Sequence, residues 1–211
     1  MMACVIAFPA FALEETDVTF APYTDEANGN IRKYCACGNK FVADENGTIA
    51  YVNGENGCKN HKENGVVTAG CDGTLISWSP VSGSNQNLSG NPGKGFYLTG
   101  STSLANANTC NAAGNYYIDL NNNMLYRNNS RAMTMVAGSN LYITDTSANK
   151  SGSLRCRNTD SKASSGQGMV LWMNGENISV TLFAGGIYAE EPTTYATGGS
   201  AISIISGAST T

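Results

Sequence analysis

The second half of the chain repeats a pattern of β-rich segments and short turns, and this pattern constrains the fold most. The passes start at Ala132, Met169 and Ala201. Each pass runs from a β-rich segment through a glycine-containing turn into a second segment, and the first two reach a third segment led by glycine. Val, Ile, Tyr, Thr and Trp fill the apolar positions, and no helical period interrupts them. The sequence therefore predicts an all-β fold.

Repetition of this kind predicts a solenoid in which short parallel strands stack into coils. The inward residues of one coil become buried only when neighbouring coils cover them. The passes are unevenly spaced, which is expected if connections of different length project from one corner. The chain reaches Thr211 directly after an Ile-rich segment, and an exposed strand edge there is a liability. The solenoid is therefore predicted to be incomplete at its C-terminus, as part of a longer protein.

Charge argues against one class of partner. Charged residues make up only 13% of the chain, and the net charge is -4. The Lys and Arg residues include no run of three, whereas phosphate recognition needs a clustered basic face. No nucleic-acid partner is expected. Asn, Gly, Ser and Thr replace the missing charges, a composition that is common in exported β-proteins.

The N-terminus resembles an export signal. Residues 1–12 are apolar and end in Ala10-Phe11-Ala12, as a signal peptide remnant would, although the positively charged start is missing. No other segment approaches the ~20 apolar residues of a membrane span, so the mature chain is expected to have no transmembrane segment. The predicted location is extracellular or associated with the cell wall. Residues 13–34 are polar and are predicted to form a linker or an extended entry arm.

Residues 35–90 form a segment rich in cysteine that also contains the one histidine of the chain. The candidate metal ligands are Cys35, Cys37, Cys58, His61 and Cys71. Four of the five could close a tetrahedral structural zinc site, with Cys58 and His61 as alternatives for one position. Disulfides are the rival interpretation, because exported chains commonly pair their cysteines, and free thiols are the third alternative. Cys35 and Cys37 are not expected to pair with each other, and either arrangement would be a structural staple.

Local signals organise the rest of this region. The segments FVADENGTIAYV and GTLISW are predicted to be strands, with a hairpin turn at Asn46-Gly47. Residues 82–95 are predicted to be a loop because Gly, Pro, Asn and Ser dominate them. Cys156 is predicted to be a small core residue, and a bridge to Cys110 is not supported by the spacing.

From residue 91 onward, four segments carry a resemblance: IDLNNNMLYRNN, AGSNLYITDTSANKSGSL, GGIYAEE and SAISIISGAS. They resemble bacterial surface proteins built from right-handed parallel β-helix repeats, with a pectate-lyase-like fold. The resemblance implies that residues 91–211 form β-helix coils. The sequence departs from the family pattern at the corner Asn121-Asn122-Asn123. The upstream YCACGNK is similar to a Cys/His-bearing stretch that often precedes such helices. The implied role is that of a secreted, adhesin-like protein, although the same fold also hosts lyases and hydrolases.

Several residues of the repeat region could carry chemistry. The candidate sugar-stacking aromatics are Tyr126, Tyr142, Trp172 and Tyr188, although aromatic residues on strands often belong to a core or a stacking ladder. Asp119 and Asp145 could hold calcium beside nearby arginines, as in a lyase, or could cap turns through backbone N–H groups. The nearby arginines are Arg127, Arg131, Arg155 and Arg157. The motif Asn158-Thr159-Asp160 matches one part of a polygalacturonase site, but the accompanying motifs are missing.

The expected function is therefore non-catalytic. The sequence predicts an adhesion protein or a scaffold that contacts surface glycans or host proteins through shallow contacts along the solenoid. The alternative is the N-terminal part of a β-helix carbohydrate-active enzyme, a polysaccharide lyase or a glycoside hydrolase, whose catalytic coils lie beyond residue 211. A third interpretation is a component of a self-assembling surface layer or filament.

Overall fold

The computed structural model describes residues 23–25, 31–38, 76–84, 86, 88, 91–105, 108–157, 169–190 and 202–205. Within these ranges the regular secondary structure consists of β-strands, and no helix is present. The predicted all-β class is confirmed. The described residues accordingly contain no helix long and apolar enough to span a membrane.

The strands are short, and most contain between three and six residues. In chain order they are β1 (Tyr23–Asp25), β2 (Ile31–Tyr34), β3 (Ile76–Val81), β4 (Gly95–Leu98), β5 (Thr102–Ser103), β6 (Asn108–Cys110), β7 (Gly114–Asp119), β8 (Met124–Asn128), β9 (Met133–Val136), β10 (Ser139–Thr144), β11 (Ser153–Arg157), β12 (Leu171–Asn174), β13 (Ser179–Leu182), β14 (Gly186–Ala189) and β15 (Ile202–Ile205). The β-rich segments predicted from Ala132 to Glu190 are all strands.

Three sheets share these strands according to one rule. From β4 to β12, each strand pairs in parallel with the strand three places later. Sheet 1 has seven strands in the order β1-β2-β3-β4-β7-β10-β13. Sheet 2 has the order β14-β11-β8-β5, and sheet 3 has the order β15-β12-β9-β6. Consecutive strands therefore belong to successive sheets.

One hydrophobic core, called here the main core, receives side chains from all three sheets. Leu141 and Ile143 enter it from sheet 1, Leu154 from sheet 2 and Met173 from sheet 3, and each is 0% exposed. Between the two residues of sheet 1, Tyr142 points to the opposite face, because successive side chains of a strand alternate. Burying each such side chain stabilises the fold by roughly 1.5–3 kcal/mol.

A second hydrophobic cluster, called here the outer cluster, covers the other face of sheet 1. It contains Tyr34, Cys35, Ala36, Cys37, Ile76, Trp78, Tyr97 and Tyr117. The rings of Tyr34 and Trp78 stack with centroids 4.5 Å apart, and the Trp78 Nε1 donates a hydrogen bond to the Tyr34 carbonyl oxygen at 3.0 Å. The outer cluster therefore joins residues of the N-terminal strands β2 and β3 to residues of the later strands β4 and β7.

The N-terminal half differs from the expected organisation. β1 and β2 lie within residues 13–34, the range predicted as a linker or entry arm, and they form an antiparallel pair that continues into β3. β3 pairs in parallel with β4, so sheet 1 runs across the division predicted at residue 90. Among its described residues, the loop predicted at 82–95 holds one isolated bridge, from Gln86 to Leu104, and the loop ends where β4 begins. Residues 1–12 and the hairpin at Asn46-Gly47 lie outside the described residues.

Candidate functional site

Sheet 2 carries a row of aromatic and charged side chains on the face turned away from the main core. Tyr126 on β8, Arg155 on β11 and Tyr188 on β14 are register partners across adjacent strands. Their chain neighbours Leu125 and Leu154 enter the main core, so alternation places the three side chains on the opposite face. The structure thus brings together two of the four predicted sugar-stacking aromatics.

Two guanidinium groups and one carboxylate complete the row. Arg155 lies over the Tyr188 ring with its Cζ 4.9 Å from the centroid, and Arg157 lies over the Tyr126 ring at 5.2 Å. Glu190 bridges both arginines, with Oε1 3.4 Å from the Arg155 Nη1 and Oε2 3.7 Å from the Arg157 Nε. These five residues are called here the Tyr/Arg row. Each cation–π contact holds a guanidinium against a ring and contributes about 0.5–1 kcal/mol at such exposed sites.

The Tyr188 ring lies against Gly186 of the same strand, where a larger residue would block it. A Cβ atom built on Gly186 would stand 2.6 Å from the Tyr188 Cζ, closer than real Cβ contacts. Tyr188 is nevertheless 52% exposed, although the Arg155 guanidinium also contacts its ring. The exposed part of the ring is accessible to a ligand that packs on aromatic surfaces.

The other two predicted aromatics lie elsewhere. Tyr142 is half-buried beside the outer cluster, stacked between Tyr117 at 5.1 Å and Phe183 at 6.4 Å. Trp172 is on sheet 3, where the guanidinium of Arg131 covers its ring at 3.4 Å. Tyr142 therefore belongs to a stacking ladder and Trp172 packs under an arginine, which are the structural roles that were the alternative to sugar contact.

Asp119 caps a corner of the fold. Its Oδ1 accepts hydrogen bonds from the backbone N–H groups of Asn121 at 2.9 Å and Thr146 at 3.0 Å. Its Oδ2 accepts from the hydroxyl groups of Tyr34 at 2.5 Å and Thr146 at 2.6 Å. The carboxylate is 0% exposed, and these four donors occupy its lone pairs. The predicted turn-capping role is confirmed.

Asp145 also caps a turn, on the connection that follows β10. Its Oδ1 accepts from the backbone N–H groups of Asn122 and Ser147 at 3.0 Å and from the Ser147 hydroxyl, and its Oδ2 accepts from the Gly152 N–H at 2.7 Å. Because Asp119 reaches forward to Thr146 and Asp145 reaches back to Asn122, the two corners hold each other. Four hydrogen bonds from the protein reach each of the two carboxylates, which is the arrangement of a turn cap.

The predicted arginine neighbourhood of these aspartates splits into separate environments. Arg155 and Arg157 belong to the Tyr/Arg row, and Arg131 covers Trp172. The Nη1 of Arg127 is buried without a hydrogen-bond partner among the described residues, and burial lowers the pKa of its guanidinium. Glu190 was not identified from the sequence as a partner of two arginines. A signal was available, because Glu190 follows Tyr188 by two residues just as Arg157 follows Arg155, and residues two apart on a strand lie on the same face.

The cysteines of the described residues are buried. The Sγ atoms of Cys35 and Cys37 are 2.9 Å apart, so the two side chains that were expected to seek distant partners approach each other. Cys58, His61 and Cys71 lie outside the described residues, within which no group of three or more His, Cys, Asp or Glu side chains could hold a metal. Cys156 is a core residue as predicted, and its Sγ donates to the Ser130 carbonyl oxygen. Burial raises the pKa of Cys110 to about 12.

No protein-family model, curated protein or solved structure matches the chain. The motif Asn158-Thr159-Asp160 lies outside the described residues. The Tyr/Arg row is a partly exposed aromatic and charged surface on three adjacent parallel strands.

Proposed function

We propose that this chain is a non-catalytic binding protein that contacts glycans of a host or cell-wall surface through the Tyr/Arg row of sheet 2. The observation that carries the proposal is the register of Tyr126, Arg155 and Tyr188 on three adjacent parallel strands. An aromatic face packs on the apolar face of a sugar ring, and neighbouring guanidinium and carboxylate groups can hydrogen-bond its hydroxyls. Placement on strands keeps these groups at fixed distances.

We further propose that the three sheets wind into a right-handed parallel β-helix. Pairing of every strand with the strand three places later supports this architecture, as does the main core that the three sheets share. The right hand follows from the strong preference of parallel strand crossovers for that hand. A protein of this kind presents long, stiff faces to its ligand.

Binding is proposed rather than catalysis because of the corner carboxylates. In the lyase interpretation Asp119 and Asp145 would bind calcium, but hydrogen bonds within the protein occupy both of them. The leader-like residues 1–12 and the low charge content support export to an extracellular or wall-associated location. These features together favour a surface adhesin or scaffold.

For the cysteine segment we propose a structural staple, with zinc and disulfides as its two chemical forms. The approach of Cys35 and Cys37 puts two sulfur atoms on one side of a tight turn closed by a hydrogen bond from the Gly38 N–H to the Cys35 carbonyl. Such a pair can supply two of four zinc ligands if the sulfurs separate to ~3.8 Å, the edge of a zinc–thiolate tetrahedron. Metal analysis combined with thiol counting on the intact protein separates the two forms.

The test of the binding function is a glycan array followed by affinity measurements on the strongest ligand. We expect Tyr126→Ala and Tyr188→Ala each to weaken that ligand at least about fivefold, corresponding to roughly 1 kcal/mol for an aromatic contact residue. Leu182→Ala is the matched control, because Leu182 is an exposed apolar residue of sheet 1, 41% accessible. Absence of any glycan bound above background, or equal losses in all three variants, would reject the function.

A further inference from the structure

The Tyr/Arg row has a charge that differs in sign from that of the chain. The chain carries 12 Lys and Arg residues against 16 Asp and Glu residues. Within the row, two arginines face the single carboxylate of Glu190. A surface with excess positive charge attracts anionic partners at short range, even when the protein as a whole is acidic.

Glu190 shows which anionic group fits this surface. Its carboxylate stands between the two guanidinium groups, and its two oxygens face one arginine each. The separations of 3.4 and 3.7 Å are longer than the usual range for charge-assisted hydrogen bonds. All three side chains are about one-third exposed, so solvent and ligands reach them. The carboxylate of a ligand can therefore take the position beside the guanidinium groups and approach them more closely.

We propose that the Tyr/Arg row recognises a saccharide that carries carboxylate groups. The ring of one sugar packs against the exposed part of the Tyr188 ring, and its carboxylate binds between Arg155 and Arg157 in place of Glu190. This specificity rests on the proposed glycan-binding function and adds the chemical class of the ligand.

The arginines are prepared for this role before a ligand arrives. The Nε of Arg155 donates to the Ser153 hydroxyl at 2.8 Å, which leaves its terminal nitrogens directed toward Glu190 and solvent. The backbone N–H of Glu190 donates to the Cys156 carbonyl at 3.0 Å, so the end of β14 stays fixed beside β11. Groups already held in the binding geometry lose little conformational entropy when a ligand binds.

The dimensions of the row favour an oligosaccharide over a nucleic acid. Tyr126 and Tyr188 are separated by two strand spacings, roughly 9–10 Å, along a flat sheet. Single-stranded nucleic acids are bound in positively charged grooves that follow many phosphates. The row offers two guanidinium groups, which matches one carboxylated ring between flanking rings.

The test uses the full chain and a hyaluronan hexasaccharide, in which every second ring carries a carboxylate, together with its methyl ester. Titration calorimetry should show that the acid binds at least about tenfold more tightly than the ester, because the ester cannot form the charged hydrogen bonds. The preference should shrink as salt is raised from about 50 to 500 mM, since the groups are solvent-exposed.

Variants assign the effect to residues. Arg155→Gln and Arg157→Gln should each lower the affinity for the acid roughly tenfold and the affinity for the ester much less, because the ester keeps only the neutral contacts to these side chains. Glu190→Gln should raise the affinity for the acid several-fold, because it removes the competing charge. Lys94→Gln is the control, since Lys94 is an exposed cation in the loop before β4 and its loss changes the net charge equally. Circular dichroism confirms that each variant is folded.

The outcomes separate this inference from the function on which it rests. If the ester or a neutral chitohexaose binds as tightly as the acid, the carboxylate specificity is wrong and glycan binding stands. If neither these saccharides nor any glycan on an array binds, both are wrong. Tighter binding of a single-stranded oligonucleotide, lost in Arg155→Gln, would assign the row to nucleic acid and overturn the proposal.

Discussion

Tyr34 and Asp119 form a buried pair that joins the N-terminal segment to the rest of the chain. The Tyr34 hydroxyl donates to the Asp119 Oδ2, and both side chains are 0% exposed. Burial raises the pKa of Tyr34, and the neighbouring Asp119 carboxylate raises it further, because a phenolate there would be desolvated and repelled. The folded state therefore keeps this proton under conditions in which the unfolded chain releases it.

This pair predicts a loss of stability at alkaline pH. An unfolded tyrosine ionises near pH ~10, so the contribution of Tyr34 is fully present below that pH and declines as the pH rises above it. We expect Tyr34→Phe to lower the free energy of unfolding by about 1–2 kcal/mol at pH 7, because Asp119 loses a donor. Urea unfolding at several pH values between 7 and 11 should show this deficit shrinking as the pH rises.

Leu182→Ala serves as the control for this experiment, because the exposed Leu182 has no titrating partner among the contacts described. It should keep the pH dependence of the unmodified chain. A deficit in Tyr34→Phe that stays constant up to pH 11 would show that the hydroxyl does not hold its proton through burial beside Asp119.

At the scale of strands, the face of sheet 2 depends on an aromatic residue that lies across a glycine. Tyr188 covers Gly186 on the same strand, and a Cβ on Gly186 would overlap the ring. The glycine leaves the strand without a side chain to pack, and the ring supplies the missing cover. The contact between Gly186 and Tyr188 within β14 therefore determines where the Tyr188 ring lies.

Gly186→Ala should displace the Tyr188 ring and weaken both stability and glycan binding. We expect a loss of about 1–2 kcal/mol in the free energy of unfolding, as for other overpacked sites. In a Tyr188→Ala background the same change should cost less than about 0.5 kcal/mol, because the clash is gone. A double-mutant cycle by chemical unfolding measures the difference, and equal costs in both backgrounds would contradict the contact.

The strands after Ala132 could be predicted from sequence because their alternation and turns are local. β1 and β2 could not, because their short polar segments are stabilised by pairing with β3, more than forty residues later in the chain. The candidate site was predicted only in part for a similar reason. Tyr126 and Tyr188 were identified as aromatics, but their alignment with Arg155 depends on register, which the uneven connections hide. The capping roles of Asp119 and Asp145 were predictable because an aspartate at a strand end has donors nearby.

At the scale of the molecule, stability is expected to be graded along each sheet. β7, β8, β10 and β11 have paired strands on both sides, whereas β13, β14 and β15 are the last strands of their sheets among the described residues. Hydrogen exchange should therefore protect the backbone amides of the inner strands most.

Exchange measured by mass spectrometry over hours checks this gradient. We expect protection to fall from β10 to β13 and from β11 to β14. A titration with the glycan ligand should slow exchange selectively in β8, β11 and β14, where the Tyr/Arg row lies. Equal protection in all strands would indicate a single cooperative unit without weaker edges.

The attachment of residues 34–38 has a consequence for the order in which the protein matures. Tyr34 is anchored by Asp119, and the Cys37 carbonyl accepts a hydrogen bond from the Thr144 hydroxyl at 3.0 Å. During synthesis the cysteine segment leaves the ribosome long before either anchor exists. Until the roughly hundred residues that separate Cys37 from Thr144 have been made, the two anchors cannot together hold Cys35 and Cys37 in their buried position, so oxidants and metal ions can reach their thiols on the nascent chain.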